Sequence, residues 1–452
     1  MNDFTNWLMG HHEISLSEKQ RSTHTYVIGQ SGTGKSRALE SWIMQDIAAG
    51  HGVGVIDPHG DLYNHLVAKL ANNPQFWNRI ILFDPLDPDW SVGFNPLERI
   101  DRTSSERLAM YMTDVTLKVW KINPANAPRM VWLLTNTFLA LVELDLTILD
   151  LPKFLMDQDY RESLVSRISL PAVRQYFEVE FPKSANGILQ WITPVLNKIG
   201  NLLFDPDIRL IFGGKSTFDF RRVMDNKMIF LANLSKGILG EGTSSLLAAF
   251  IVAHMQRTAL SRANSNHRPP FYLYLDEFQN YTTGNIIDIL SESRKYALSL
   301  TLAHQFLDQL PNELRQAVLN TSGTIACFRV GYNDARTLAK EVFPSPDFRY
   351  RINLRASVGI PYLKQIGWDG LALELSNLKP RQFWYRRRGP YMPIKQYTYS
   401  MPDPKYTKDL REKIKAFRDY SGSLFARRKR ELQTNMRSQT ISKEEDIPLW
   451  SS

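Results

Sequence analysis

The chain has 452 residues, 43% of them hydrophobic and 22% charged, with a formal net charge of +9. That length and apolar content support a large core divided between two or more lobes and exclude a disordered or fibrous chain. A single cysteine, Cys327, excludes an intramolecular disulfide and points to a reducing, cytoplasmic compartment, while the positive balance fits a polyanionic partner.

The residues from Met1 to Gly10 lack the basic start and long apolar core of a signal peptide. A short strand is expected at Glu13 to Leu16, within a lead-in covering 1–22. Tyr26, Val27 and Ile28 then form a β-prone run that feeds Gly29, Gln30, Ser31, Gly32, Thr33, Gly34, Lys35 and Ser36, a fit to G-x-x-x-x-G-K-[ST] followed by a helix over Arg37 to Ala48. Glycines let backbone N–H groups turn inward around an anion, and the helix N-terminus adds partial positive charge. In such a cradle Lys35 reaches the β- and γ-phosphates and Ser36 can ligate Mg²⁺.

Gly50 and Gly52 stop that helix. Val53 to Ile56 reads as a buried strand ending at Asp57, and Arg79 to Phe83 as another ending at Asp84. Strands alternating with helices predict a mainly parallel sheet covered on both faces, with ligands beyond the carboxyl ends of the strands, where the loop, Asp57 and Asp84 are expected. Asp57 and His59 either organise water or metal there or cap a turn. From 99 to 222 helical periodicities dominate, over Glu106 to Trp120, Arg129 to Leu141, Leu155 to Leu164 and Ala185 to Leu196, which predicts an all-α insertion. Its most apolar stretch, Met130 to Leu151, is interrupted by Asn136, Glu143, Asp145 and Asp150 and reads as a buried or amphipathic helix rather than a membrane span.

The sheet pattern resumes at Lys227 to Asn233. A glycine-rich loop, Ser235 to Gly242, either faces a channel or a neighbouring subunit or simply connects to a helix at Ser244 to Arg257. Further strands are expected at Phe271 to Leu275, Ser299 to Ala303 and Thr324 to Phe328, with Cys327 a small buried residue. The first of these delivers Asp276 and Glu277 to its end. Phosphoryl-transfer sites need such a pair, Asp276 to hold Mg²⁺ and Glu277 to polarise the attacking water. The second leads into His304 and Gln305. Gln305 can bond both γ-phosphate and water, whereas His304 reads as structural. Arg294, just before that strand, is either a finger on a neighbour's γ-phosphate or part of a surface cluster such as Glu292 with Lys295. Arg329 reads as a structural ion pair or a phosphate sensor.

The stretch Phe383 to Arg388 interleaves aromatics with arginines, which suits nucleic-acid stacking or an edge strand with a buried aromatic face. Residues 405–452 hold twelve Lys/Arg against seven Asp/Glu. That basic tail lies on DNA, docks on a neighbouring subunit or stays disordered. The organisation expected is therefore a motor domain over 23–98 and 223–400, an insertion over 99–222 and a tail over 401–452.

Taken in order, Gly29 to Ser36, Val55 to Asp61, Tyr274 to Phe278, Ser293 to Leu300 and Ala303 to Gln305 resemble the HerA/FtsK superfamily of DNA-pumping ATPases. Within it the chain is most similar to coupling proteins of the TraG/TraD/TrwB type, which serve conjugation and type IV secretion. The resemblance spans roughly residues 20 to 400 and implies a RecA-like α/β P-loop NTPase fold interrupted by an all-α domain. It implies that Lys35 and Ser36 are the Walker A pair, Asp276 and Glu277 the Walker B pair, Gln305 the sensor and Arg294 the arginine finger. It also implies ATP and Mg²⁺ as ligands, DNA in the channel of a homo-oligomeric ring, a hexamer, and a membrane-complex, relaxase or nuclease partner. Coupling proteins of this type usually begin with membrane-spanning helices, and HerA proteins with a small β-barrel. Neither is expected here, where only about 22 residues precede the motor and any membrane attachment runs through a partner.

Overall fold

In this computed structural model the described residues are 21–99, 104–281, 285–346, 367–389, 392–398 and 402–434, so the strand expected at Glu13 to Leu16 lies outside them. The strands in chain order are β1 Thr25–Ile28, β2 Gly52–Asp57, β3 Ile80–Phe83, β4 Trp90–Ser91, β5 Ile229–Asn233, β6 Phe271–Leu275, β7 Leu298–His304, β8 Thr324–Cys327, β9 Gln382–Arg387, β10 Ile394–Tyr397 and β11 Arg427–Arg428. The chain divides into one unit of residues 1–69, 224–229 and 262–405 and another of 70–223, 230–261 and 406–452.

In the first unit the strand order is β10-β9-β8-β1-β7-β6-β2. Pairs from β8 through β1, β7 and β6 to β2 are parallel, whereas β9 and β10 run antiparallel. β1, β2, β6 and β8 are buried at every position, which is why they read as unbroken apolar runs rather than alternating ones. A mixed α/β fold with a mainly parallel sheet is thus confirmed. The aromatic and arginine stretch forms β9, which is not the edge strand expected. Phe383, Trp384 and Tyr385 are all buried. Phe383 stacks on Phe328 at 4.8 Å and Trp384 meets Phe343 edge-on at 5.0 Å, and the sheet edge is β10 instead.

The second unit is mostly helical. The helices Ser105–Val119 and Pro128–Glu143 lie against each other, and the apolar stretch expected at Met130 to Leu151 is largely the buried face of the second. Among the described residues no helix is long and apolar enough to cross a membrane. The helix expected at Leu155 to Leu164 is two, Leu151–Met156 and Gln158–Val165, because Asp157 caps the second by accepting the Tyr160 N–H at 2.9 Å. The one expected at Ala185 to Leu196 continues through Pro194 to Phe204. The glycine-rich loop contains a short helix, Lys236–Leu239, that ends at Gly240 with φ +77°. The core of this unit is aromatic, with Phe94 in ring contact with Phe83, Phe212, Phe218, Phe220 and His254.

The segment read as a basic tail forms the helix Lys408–Phe425. It lies along β3, where the Ser421 hydroxyl donates to the Ile80 carbonyl at 2.9 Å and Phe417 stacks on Trp77 at 5.1 Å. Its apolar positions pack against that strand, and its Arg418 pairs with the buried Asp84.

Candidate nucleotide-binding site

Parallel register levels the carboxyl ends of four neighbouring strands in the first unit. Ile28 stands opposite His304, Leu275 opposite Leu302 and Ile56 opposite Leu275. The residues that follow, Gly29, Gln305, Asp276 and Asp57, therefore emerge at one edge of the sheet.

The loop after β1 is pinned by backbone bonds. Gly29 N–H donates to the His304 carbonyl at 3.3 Å, Gln30 N–H to that of Arg329 at 2.8 Å, and Arg381 N–H to that of Thr33 at 2.8 Å. The Thr33 hydroxyl closes it by donating to the Gln30 carbonyl at 2.7 Å. A Cβ at Gly29 would lie 2.4 Å from that of Phe328, and Gly34 has φ +107° with Arg381 Cα 3.2 Å from where its Cβ would be. Gln30, Ser31 and Gly32 are exposed at the tip, and Ser36 is exposed in the first turn of the helix Lys35–Ala48. Lys35 is only 6% exposed. Its Nζ donates to the Gly29 carbonyl at 2.5 Å and the Gln30 carbonyl at 3.2 Å. Burial lowers its pKa, against the raising influence of Glu277 and Asp276.

Opposite the loop, β6 ends in two buried carboxylates. Asp276 N–H donates to the Ile56 carbonyl at 3.2 Å, and Tyr281 donates to the Asp276 carbonyl. Burial first, then the neighbouring Asp57 and Glu277 charges, push the Asp276 carboxyl up to about 7, with Lys35 opposing. Glu277 has φ +45°, a left-handed backbone costly for a residue with a side chain. Both its oxygens accept amide donors, from Gln305 Nε2 at 2.9 Å and Gln279 Nε2 at 2.7 Å. Asp57 is fully buried and accepts the His59 and Tyr63 N–H groups, each at 2.9 Å. It sits in a turn, which is one of the two roles its sequence context allows.

The arrangement fits a divalent cation held through phosphate. Among the described residues no group of three or more His, Cys, Asp and Glu could hold a metal. Mg²⁺ takes few protein ligands and completes its shell from phosphate and water. Ser36 supplies a hydroxyl for it, and Asp276 is a carboxylate whose raised pKa marks a place where added positive charge is favourable.

The structure brings Lys35, Asp276, Glu277 and Gln305 together and leaves Arg294 out. Arg294 is exposed in the turn Ser293–Tyr296, at the amino end of β7. The seven residues of that strand separate it from Gln305, roughly 20 Å of chain. His304 is buried, with Tyr26 Oη 2.6 Å from its Nε2, and burial lowers its pKa to about 3. Arg329 touches the loop through its carbonyl. Asp84 belongs to the second unit, where it accepts from Asn233 at 3.0 Å and Arg418 at 3.2 Å. Two residues escaped sequence reasoning. Gln279 carries the faint signal of following the carboxylate pair by two positions. Arg381, with φ +70° behind Gly34, carries none.

The family model of the type IV secretion-system coupling protein DNA-binding domain matches residues 9–337. Among solved structures the fold is similar to the unbound bacterial conjugative coupling protein TrwBdeltaN70, at 15% identity over 89% of this chain and 93% of that one, with a TM-score of 0.61. It is also similar to plasmid coupling protein TrwB in complex with ADP and Mg²⁺, at 16% identity over 87% and 89%, TM-score 0.58. VirB4 of Thermoanaerobacter pseudethanolicus follows at 12% identity over 86% and 92%, TM-score 0.52. At these identities the likeness is one of fold. A search of curated proteins returned no match.

Proposed function

The chain belongs to the type IV secretion-system coupling protein DNA-binding domain family, and from that membership we propose that it is an ATPase that pumps DNA as a ring of identical subunits, a hexamer. The observation that carries this reading is the meeting of Lys35, Asp276, Glu277 and Gln305 at the ends of β1, β6 and β7. The structure of TrwB in complex with ADP and Mg²⁺ supports ATP and Mg²⁺ as ligands here.

In this reading the backbone of residues 29–36 and Lys35 hold the phosphates, with Ser36 and Asp276 on Mg²⁺. The cation would neutralise charge developing on the phosphate oxygens. Glu277, held at both oxygens, orients a water for attack on the γ-phosphorus and takes its proton as the bond to the β-phosphate oxygen breaks. Gln305 links that carboxylate to the γ-phosphate. Arg294, at the far end of β7, acts on the site of an adjacent subunit, which makes hydrolysis a property of the interface. DNA is the substrate moved. A membrane complex, relaxase or nuclease is the partner class, and the protein works at the cytoplasmic side of such an assembly.

The test is ATP turnover with and without DNA at low salt. Turnover is expected to rise with DNA and to vanish in Glu277→Gln, which still binds nucleotide. Turnover indifferent to DNA in confirmed oligomers, and raised by an unfolded protein, would replace this reading with a protein-moving ATPase.

A further inference from the structure

A side chain from a neighbouring loop bonds to the turn that carries Arg294. Arg268 lies in the loop between the end of the helix Glu241–Ser261 and β6. All three of its guanidinium nitrogens donate to backbone carbonyls: Nε to Ser265 at 2.8 Å, Nη1 to Lys295 at 3.0 Å, and Nη2 to Ala263. A planar fork spanning three carbonyls on two segments is a geometry that lysine cannot reproduce. The loop has its own support. Arg262 is fully buried, donates through Nη2 to the Pro269 carbonyl at 2.6 Å and lies 3.1 Å from Asp225. The turn is tied again just beyond, where Phe271 N–H, the first of β6, donates to the Ala297 carbonyl at 2.9 Å, and Ala297 has φ +58°.

We infer that Arg268 is a positioning residue for Arg294: it clamps the turn Ser293–Tyr296 against the loop that leads into β6 so that the exposed arginine is presented at a fixed place to the adjacent subunit. The inference rests on the reading of Arg294 as a trans-acting finger. It adds a physical link, because the strand that starts at this clamp ends at Asp276 and Glu277. One subunit's own carboxylate pair and the arginine it lends to its neighbour are thus the two ends of β6 and its adjoining turn.

The experiment compares Arg268→Ala, Arg268→Lys and Arg294→Ala, each alone and mixed with Glu277→Gln subunits. Arg268→Ala is expected to assemble, to keep KM for ATP within about threefold, and to lose roughly 10- to 100-fold in kcat, the scale of a misplaced catalytic group. Arg268→Lys should recover little of that loss, and it carries the test if the alanine variant fails to fold. In mixtures, Glu277→Gln subunits lend an intact Arg294 to the intact Glu277 of the other variant, so turnover should return for both arginine variants. Unchanged kcat in the Arg268 variants, or a loss that mixing does not restore where Arg294→Ala is restored, would overturn the clamp and leave the finger standing. Failure of Arg294→Ala itself to be restored at any ratio would overturn the finger and the clamp with it.

Discussion

His254 shows how one buried group makes the stability of the second unit depend on pH. The residue is 4% exposed, and its ring makes a hydrogen bond between Nε2 and the Pro96 carbonyl at 2.7 Å and meets Phe94 edge-on at 5.2 Å. Burial, helped by the charge of Arg257, lowers its pKa to about 4. The folded-state value lies below the unfolded one, so the stability this group contributes is complete above about pH 6.5 and is lost as pH falls toward 4. Between pH 7 and pH 5 that loss amounts to roughly 2 kcal/mol. His254→Gln, which cannot take up a proton, should therefore be less stable than the parent at pH 7, with the gap narrowing by about that amount at pH 5 in denaturant titrations. A constant gap would mean that the fold does not lower the pKa of His254. His304 is buried with the same sign of shift in the first unit, and its bond to Tyr26 fixes β7 against β1 one residue before Gln305.

Among the elements, the helix Lys408–Phe425 departs furthest from expectation. Gly422 faces Trp90 so closely that a Cβ there would lie 2.2 Å from the indole, while the indole N–H donates to Asp419 at 2.9 Å. In an exposed helix, glycine to alanine gains about 1 kcal/mol. Here the added methyl must displace a ring that is bonded to Asp419 of the same helix and carries Arg428 over it, and overpacking costs about 1–3 kcal/mol. Gly422→Ala is therefore expected to lower the unfolding midpoint in urea. A rise would show that the helix has room to move off Trp90. The spacing of Leu410, Ile414, Phe417 and Ser421 follows one helical face, so this element was legible, but its density of charge masked the stripe. The loop from Gly29 to Ser36 and the pair Asp276 and Glu277 were legible because their chemistry needs neighbours in sequence. Arg381 and Arg268 were not. Each acts through bonds made by chain reversal, Arg381 on Thr33 and Arg268 on Lys295, and no local pattern records such a bond.

For the whole molecule the question is where the charge of +9 acts. Over half of it falls in residues 405–452, yet among its twelve basic residues Arg418, Arg428 and Lys429 are engaged with the chain itself. Arg418 donates to Asp84 at 3.2 Å and Asp87 at 3.1 Å, Lys429 to Asp207 at 2.7 Å and the Pro85 carbonyl at 2.9 Å, and Arg428 lies over the Trp90 ring at 3.9 Å. Asp84 is 5% exposed, and its pKa is raised by burial although Arg418 draws it down. Removing Arg418 would leave that carboxylate buried beside Asp87 without its cation, a loss of roughly 2–4 kcal/mol given that Arg418 is itself partly exposed. The same change should leave DNA binding, where it survives at lower temperature, with an unaltered slope of log affinity against log salt, since a cation that neutralises a DNA phosphate contributes about 1 to that slope. Arg418→Ala therefore separates two uses of positive charge. A large drop in stability with a constant salt slope assigns this helix to the scaffold, and a slope reduced by about 1 with little change in stability would place Arg418 on the nucleic acid.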